Sequence, residues 1–157
     1  MVIAVRADDP RSAAAAGLVR RHFAISHAIT PAAFAFVLDE GELCGPDVRF
    51  FTAWDGDALA GMGAIKHLGG GHAELKSMRT DSAHLRKGVA AAILRHMIDA
   101  ARADGAERLS LETGTGDEFV PARALYRRFG FVDCPAFADN PADSPHNQYM
   151  TLALKEA

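Results

Sequence analysis

The chain has 157 residues, 49% of them apolar and 24% charged, with a formal net charge of −3; this suits one domain with a real core and argues against a nucleic-acid protein, which needs a concentrated basic face. Its two cysteines, Cys44 and Cys134, stand far apart and have no metal-ligand or disulfide spacing, so they read as reduced thiols of a cytoplasmic protein. The N-terminus lacks the regions of a signal peptide, and no apolar run reaches membrane-spanning length.

Val2–Val5 reads as a first strand. Asp9 offers an N-cap, with Pro10 at the first helical position, and the alanine-rich stretch from Arg11 to about Phe23 continues as a helix. Thr30-Pro31 repeats that start signal before a short helix over Ala32–Leu38, and Gly41 through Pro46 reads as a loop. Val48–Trp54 is rich in β-branched and aromatic residues and predicts a strand. Asp55-Gly56 marks a hairpin turn, Ala58–His67 the returning strand, Gly69-Gly70-Gly71 a second reversal, and His72–Thr80 the next strand. The period then changes. Ala90, Ile93, Leu94, Met97, Ile98 and Ala101 form one apolar helix stripe, and Gly105 suits the residue just past its end. Arg108–Glu112 predicts a strand, about Val120–Phe129 a helix ending at Gly130, and Phe131-Val132 and Gln148–Leu154 the closing strands. This order implies an α/β fold, a mostly antiparallel sheet covered by four helices. The crossover from the His72 strand to the Arg108 strand is parallel.

The turn Leu85-Arg86-Lys87-Gly88-Val89-Ala90 lies between a strand and a helix. A helix N-terminus presents unpaired backbone N–H groups and a positive dipole end. Small residues let an anion approach that backbone, and Arg86 and Lys87 add charge, so the segment reads as a seat for a diphosphate. Downstream, Ala122-Arg123-Ala124-Leu125-Tyr126-Arg127-Arg128-Phe129-Gly130-Phe131 carries an Ala-x-x-Leu-Tyr pattern closed by Gly-Phe.

With these segments in this order, the chain resembles the GNAT superfamily of N-acetyltransferases, in particular small bacterial members whose acceptor is often unassigned. Gly88 and Ala90 match the second half of the family's phosphate motif, Gln/Arg-x-x-Gly-x-Gly/Ala, and Glu74-Leu75-Lys76-Ser77-Met78-Arg79-Thr80 looks like its central strand. The likeness covers Ala58–Phe131 best. It implies one domain over residues 1–157 and a splayed parallel strand pair at the ends of His72–Thr80 and Arg108–Thr113. The pantetheine arm of acetyl-CoA, the co-substrate, enters that gap and pairs as an added strand would. Implied cofactor-binding residues are Met78, Arg79 and Thr80 on the strand, Leu85, Arg86, Lys87, Gly88, Val89 and Ala90 in the turn, and Ala122, Leu125 and Tyr126 on the later helix. A backbone N–H near Met78 would hold the thioester oxygen. Tyr126 is the implied general acid, because a phenol with pKa about 10 is neutral at pH 7 and can protonate a leaving thiolate. Glu74 and Glu112, on the strands flanking the gap, are the candidate bases for an amine acceptor. No metal is called for.

Two residues depart from the pattern. The motif's leading Gln/Arg falls on Leu85, with Arg86, Lys87 or His84 as candidate replacements, and the family's asparagine before the second helix falls on Phe119. His67 and His72 flank the glycine turn and can face one another. His22, His27, Phe34, Phe36, Phe50 and Phe51 are candidates for an acceptor pocket or, more blandly, an aromatic core. The proline-bearing stretch Asp133–Asn147 reads as a long loop over the acceptor site or at a second subunit. The expected activity is transfer of an acetyl group to a primary amine, of a small molecule or a peptide, by direct attack on the thioester. A homodimer is expected from the family, with neither nucleic acid nor membrane as partner. A non-catalytic acyl-CoA-binding or sensing module of the same fold is the competing reading, and Leu85 and Phe119 are its support.

Overall fold

A computed structural model describes residues 2–29, 38–138 and 140–154. Seven strands form one sheet in the order β1-β2-β3-β4-β5-β7-β6. They are β1 (Ile3–Ala7), β2 (Val48–Asp55), β3 (Ala58–Gly69), β4 (His72–Thr80), β5 (Arg108–Gly114), β6 (Val132–Cys134) and β7 (Asn147–Ala153). The helices are α1 (Ala15–Ile29), the single turn α2 (Glu40–Leu43), α3 (Val89–Ala103) and α4 (Val120–Arg128). Only β4 and β5 pair in parallel; the other neighbours are antiparallel. This is the mixed α/β sheet expected, with its crossover through α3. No helix among the described residues is long and apolar enough to cross a membrane.

Strand alternation divides the core into two layers. Phe51, Ile65, Leu75, Leu109, Leu111 and Met150 face α3 and α4, and Ile93, Leu94, Met97, Leu125 and Phe131 close that side. Phe50, Met62 and Ala64 face the other way, onto Ala15, Leu18, Val19 of α1 and Leu43 of α2. Adjacent Phe50 and Phe51 thus belong to opposite layers, which makes both core residues.

Several boundaries differ from the sequence reading. The α1 helix starts at Ala15 because Ser12 Oγ accepts the Ala15 N–H at 3.2 Å, while Asp9 closes a turn onto the Arg11 N–H at 2.9 Å. It also runs past Phe23 to Ile29. The expected loop at Gly41 holds one helical turn, fixed by a reciprocal capping box between Asp39 and Glu42. The expected helix over Ala32–Leu38 lies, except for Leu38, outside the described residues, as do Phe34 and Phe36.

The α3 helix lies close to β3 because Gly61 has no side chain. A Cβ there would stand 2.8 Å from the Arg79 carbonyl oxygen, 2.8 Å from Ile93 Cδ1 and 3.0 Å from Val89 Cγ1. One of those neighbours is backbone, so the strain has no easy release. Gly61→Ala is expected to destabilise the fold by about 1–3 kcal/mol, read as a lower denaturant midpoint at unchanged slope.

Candidate functional site

The site begins where β4 and β5 part. Their pairing runs from His72 with Arg108 to Leu75 with Leu111, and both strands continue beyond it, to Thr80 and Gly114. A bulge lies at the same place. Against β3, Met62 pairs with Arg79 but Ala64 pairs with Lys76, so Ser77 and Met78 together oppose Gly63. Ser77 takes a left-handed φ of 54°. A bulge re-aims the chain and raises local twist, and here it turns the end of β4 from β5. Among the described residues the buried Ser77 hydroxyl has no hydrogen-bond partner.

The α3 helix starts beside that opening. Its N-cap is Gly88, in a left-handed conformation with φ 80°, and no side chain caps the first turn. The Ala92 N–H returns to the Gly88 carbonyl at 3.1 Å, so the preceding N–H groups have no intrahelical acceptor. A Cβ on Gly88 would meet nothing within 4 Å; the glycine serves the turn's conformation, and the space above it is open. Arg86, itself left-handed at φ 64°, and Lys87 are exposed, and among the described residues neither makes an ion pair. His84, a candidate replacement for the motif's leading residue, faces two aspartates. It is held by Asp81 at 3.4 Å and Asp55 at 3.6 Å. Leu85 is 57% exposed and adds no polar contact. The uncapped amides, the open space and the two cations fit a diphosphate.

Under the opening, on the α1 face, alternation brings a polar group together. His72, Glu74 and Lys76 project from β4, Ser110 and Glu112 from β5, and Asn147, Tyr149 and Thr151 from β7. Glu74 is 3% exposed and its Oε2 lies 3.1 Å from Lys76 Nζ. Burial raises its pKa against the pull of Lys76. Glu112 stands one residue beyond the last β4–β5 pair and accepts from Asn147 Nδ2. Burial raises its pKa too, opposed by Asn147 and Lys76 and assisted by the Glu74 charge. Glu74 is thus shielded from solvent, and Glu112 bonds an asparagine.

Tyr126 reaches the site from the opposite layer. Leu125 and Tyr126 are the buried residues of α4, and the Tyr126 ring packs on Phe131 at 5.8 Å between centroids. Burial, and then the charge of Glu112, push its phenol up to about 12. Phenol and carboxylate therefore sense each other from either side of the sheet. Ala122 is partly buried against the same core layer as Tyr126. Phe119, at the asparagine position of the motif, lays its ring against Gly114, where a Cβ would lie 2.1 Å from its Cε2. The Gly114 carbonyl accepts from Arg123 Nη1 at 2.7 Å. Packing and that arginine hold the end of β5 where a side-chain amide was expected.

A model of the acetyltransferase (GNAT) family matches residues 18–131. The chain belongs to the GNAT acetyltransferase family. It is 45% identical to the uncharacterized N-acetyltransferase YsnE of Bacillus subtilis (strain 168), over 96% of this chain and 99% of that one. It is 42% identical to the uncharacterized N-acetyltransferase YedL of Escherichia coli (strain K12), over 97% and 95%. Among solved structures, a Bacillus subtilis acetyltransferase in complex with CoA superposes with a TM-score of 0.69 at 14% identity, covering 97% and 99% of the two chains. The fold is that of the acyl-CoA N-acyltransferases, and this GNAT chain is an acetyl-CoA-dependent acyltransferase.

Part of the site's polar group is not marked in the sequence. His67 and His72 do not face one another: His67 bonds Asp104 at 3.1 Å, and His72 bonds Ser110 Oγ at 2.7 Å. Asn147, Tyr149 and Lys76 were not singled out. The signal was present, since His72, Glu74 and Lys76 alternate with apolar residues and mark one polar strand face. The long loop before β7 sets Phe137 against both His72 and Tyr149 and is tied by Tyr149 Oη donating to the Pro141 carbonyl at 2.7 Å. Arg79 turns its side chain toward α1, where Nε meets His22 at 3.0 Å. No group of His, Cys, Asp and Glu among the described residues has the make-up of a metal site.

Proposed function

We propose that the chain transfers an acetyl group from acetyl-CoA to a primary amine by direct attack on the thioester. The observation that carries this reading is the parting of β4 and β5 beside the uncapped start of α3, with Glu112 one residue past the last strand pair and Tyr126 buried in the layer on the other face. Backbone amides of residues 88–91, with Arg86 and Lys87, bind the diphosphate. Met78 and Thr80 offer backbone to the pantetheine arm, and an N–H at the bulge steadies negative charge on the thioester oxygen. Arg79 adds its backbone there; Leu85 and Val89 shape the turn, and Ala122 and Leu125 seat α4 against the arm.

Glu112 takes the proton of the attacking amine, directly or through a water. It stands at the parting, and its raised pKa makes it a stronger base than an ordinary carboxylate. Glu74, deeper and ion-paired to Lys76, sustains the negative potential that favours a cationic acceptor. Tyr126 gives a proton to the departing thiolate, its phenol fully protonated at neutral pH. The reading includes one domain over residues 1–157, a cytoplasmic setting with Cys44 and Cys134 reduced, and a homodimer, which light scattering of the purified chain tests.

The anion seat has its own test. Replacing Arg86 and Lys87 together by Ala is expected to weaken CoA binding about three- to tenfold, and most at low salt, because exposed charges are screened. Calorimetric titration of CoA at two ionic strengths reads both effects. Equal affinity in the variant would leave the backbone amides as the whole seat.

A further inference from the structure

Arg79 follows the Ser77-Met78 bulge and pairs with Met62 of β3. Its guanidinium packs against α1, and Nε donates to His22 Nδ1 at 3.0 Å. Burial, and then the Arg79 charge, lower the pKa of His22 to about 4. His22 is therefore neutral at pH 7, and because Nδ1 accepts, its proton sits on Nε2. A neutral imidazole orients the guanidinium without neutralising it. It also occupies only one of the five N–H groups in the fork.

A guanidinium drawn partly from water calls for a carboxylate or phosphate. The described acids of the same strand, of the next strand and of the following turn are engaged elsewhere. Asp81, two residues on, binds Arg21 at 3.3 Å and the Ala83 N–H at 3.2 Å. Glu74 is held by Lys76 and Glu112 by Asn147. Among the described residues Arg79 has no carboxylate partner, and residues 30–37 between α1 and α2 contain no Asp or Glu in their sequence. The charge left over lies on the same sheet face as Glu74 and Glu112, next to the bulge.

We infer that Arg79, oriented by His22, is a subsite for a carboxylate carried by the acceptor, which makes the acceptor an amino acid or peptide with its carboxylate near the reacting amine. The inference rests on the acetyltransferase reading for its placement of the amine at the bulge. The face then has complementary ends: carboxylates toward the ammonium, and a guanidinium toward the acceptor's anion. A polycationic acceptor would satisfy the first end and be repelled by the second.

The test is product binding, which is readable whether or not turnover is found. N-acetyl-L-amino acids, each paired with its own carboxamide, are titrated calorimetrically into the CoA complex. At least one pair is expected to favour the carboxylate by about tenfold or more. Arg79→Gln should abolish that preference. Arg79→Lys, which keeps the charge but not the fork, should retain only part of it. The wild-type comparison needs no variant: equal affinity for carboxylate and carboxamide in every pair overturns the inference, as does a preference that survives Arg79→Gln. Failure of the acetyltransferase reading would show separately, as absence of thiol release from acetyl-CoA with every free amine supplied.

Discussion

Tyr126→Phe is expected to lower kcat by about 10²–10⁴-fold, the range of a lost general acid, while the affinity for CoA and the stability of the fold stay near wild type. The ring carries the packing, against Phe131 and the α3 layer, and the variant keeps the ring. The hydroxyl carries the chemistry. Its pKa, pushed to about 12 by burial and by Glu112, keeps it protonated throughout the usable pH range. The rate should therefore show no alkaline fall from this group near pH about 10, where an ordinary phenol would ionise. Steady-state kinetics with a saturating amine, together with calorimetric CoA binding, separate the two roles. A variant equal to wild type in kcat would remove Tyr126 from the mechanism.

Glu112→Gln has the second large effect, a loss of about 10²–10⁴-fold in kcat/KM. The substitution preserves shape and an acceptor atom for Asn147, so the loss reports proton transfer. A base works only when unprotonated, so the wild-type rate should climb as pH rises through the Glu112 pKa. Burial places that pKa above the ordinary glutamate value, so the acid limb is displaced upward. In the variant this limb should vanish, and the Tyr126 pKa should fall with the loss of the neighbouring charge, while burial, the larger cause, keeps it above that of an ordinary phenol. Glu74→Gln is expected to affect kcat less, because Glu74 is inside the paired part of β4 and bound to Lys76. If instead Glu74→Gln alone abolishes the acid limb, the base is Glu74.

The strands of the meander were legible from β-branched and aromatic content between glycine turns, and α3 from a period the core enforces, Ala90-Ile93-Leu94-Met97-Ile98-Ala101. The turn at Gly88 was legible for the same local reason, an abrupt change of period at a small residue after two cations. Boundaries set by side-chain caps were less so. Asp9-Pro10 signals a helix start, yet Ser12 caps α1. The Asp39–Glu42 box was lost in a stretch containing Gly41 and Gly45.

The site was partly hidden for a different reason. Glu74 and Glu112 were chosen from their strands, but Asn147 and Tyr149 enter from β7, far along the chain. Only the β5–β7 register brings them to Glu112. The Arg79–His22 contact likewise depends on how α1 crosses the sheet, which no local pattern encodes. Leu85 and Phe119 looked like missing contacts. In the fold, Leu85 leaves the amide seat open, and Phe119 packs on Gly114 at the end of β5.

The most direct test of the central claim is thiol release from acetyl-CoA in the presence of primary amines, including free amino acids and short peptides, with the acetylated product identified by mass. Amine-dependent release is expected, matched by one acetyl group gained per thiol, and greatly reduced by Tyr126→Phe and by Glu112→Gln. Tight CoA binding without amine-dependent release from any acceptor would contradict that claim and leave the fold as a binding or sensing module.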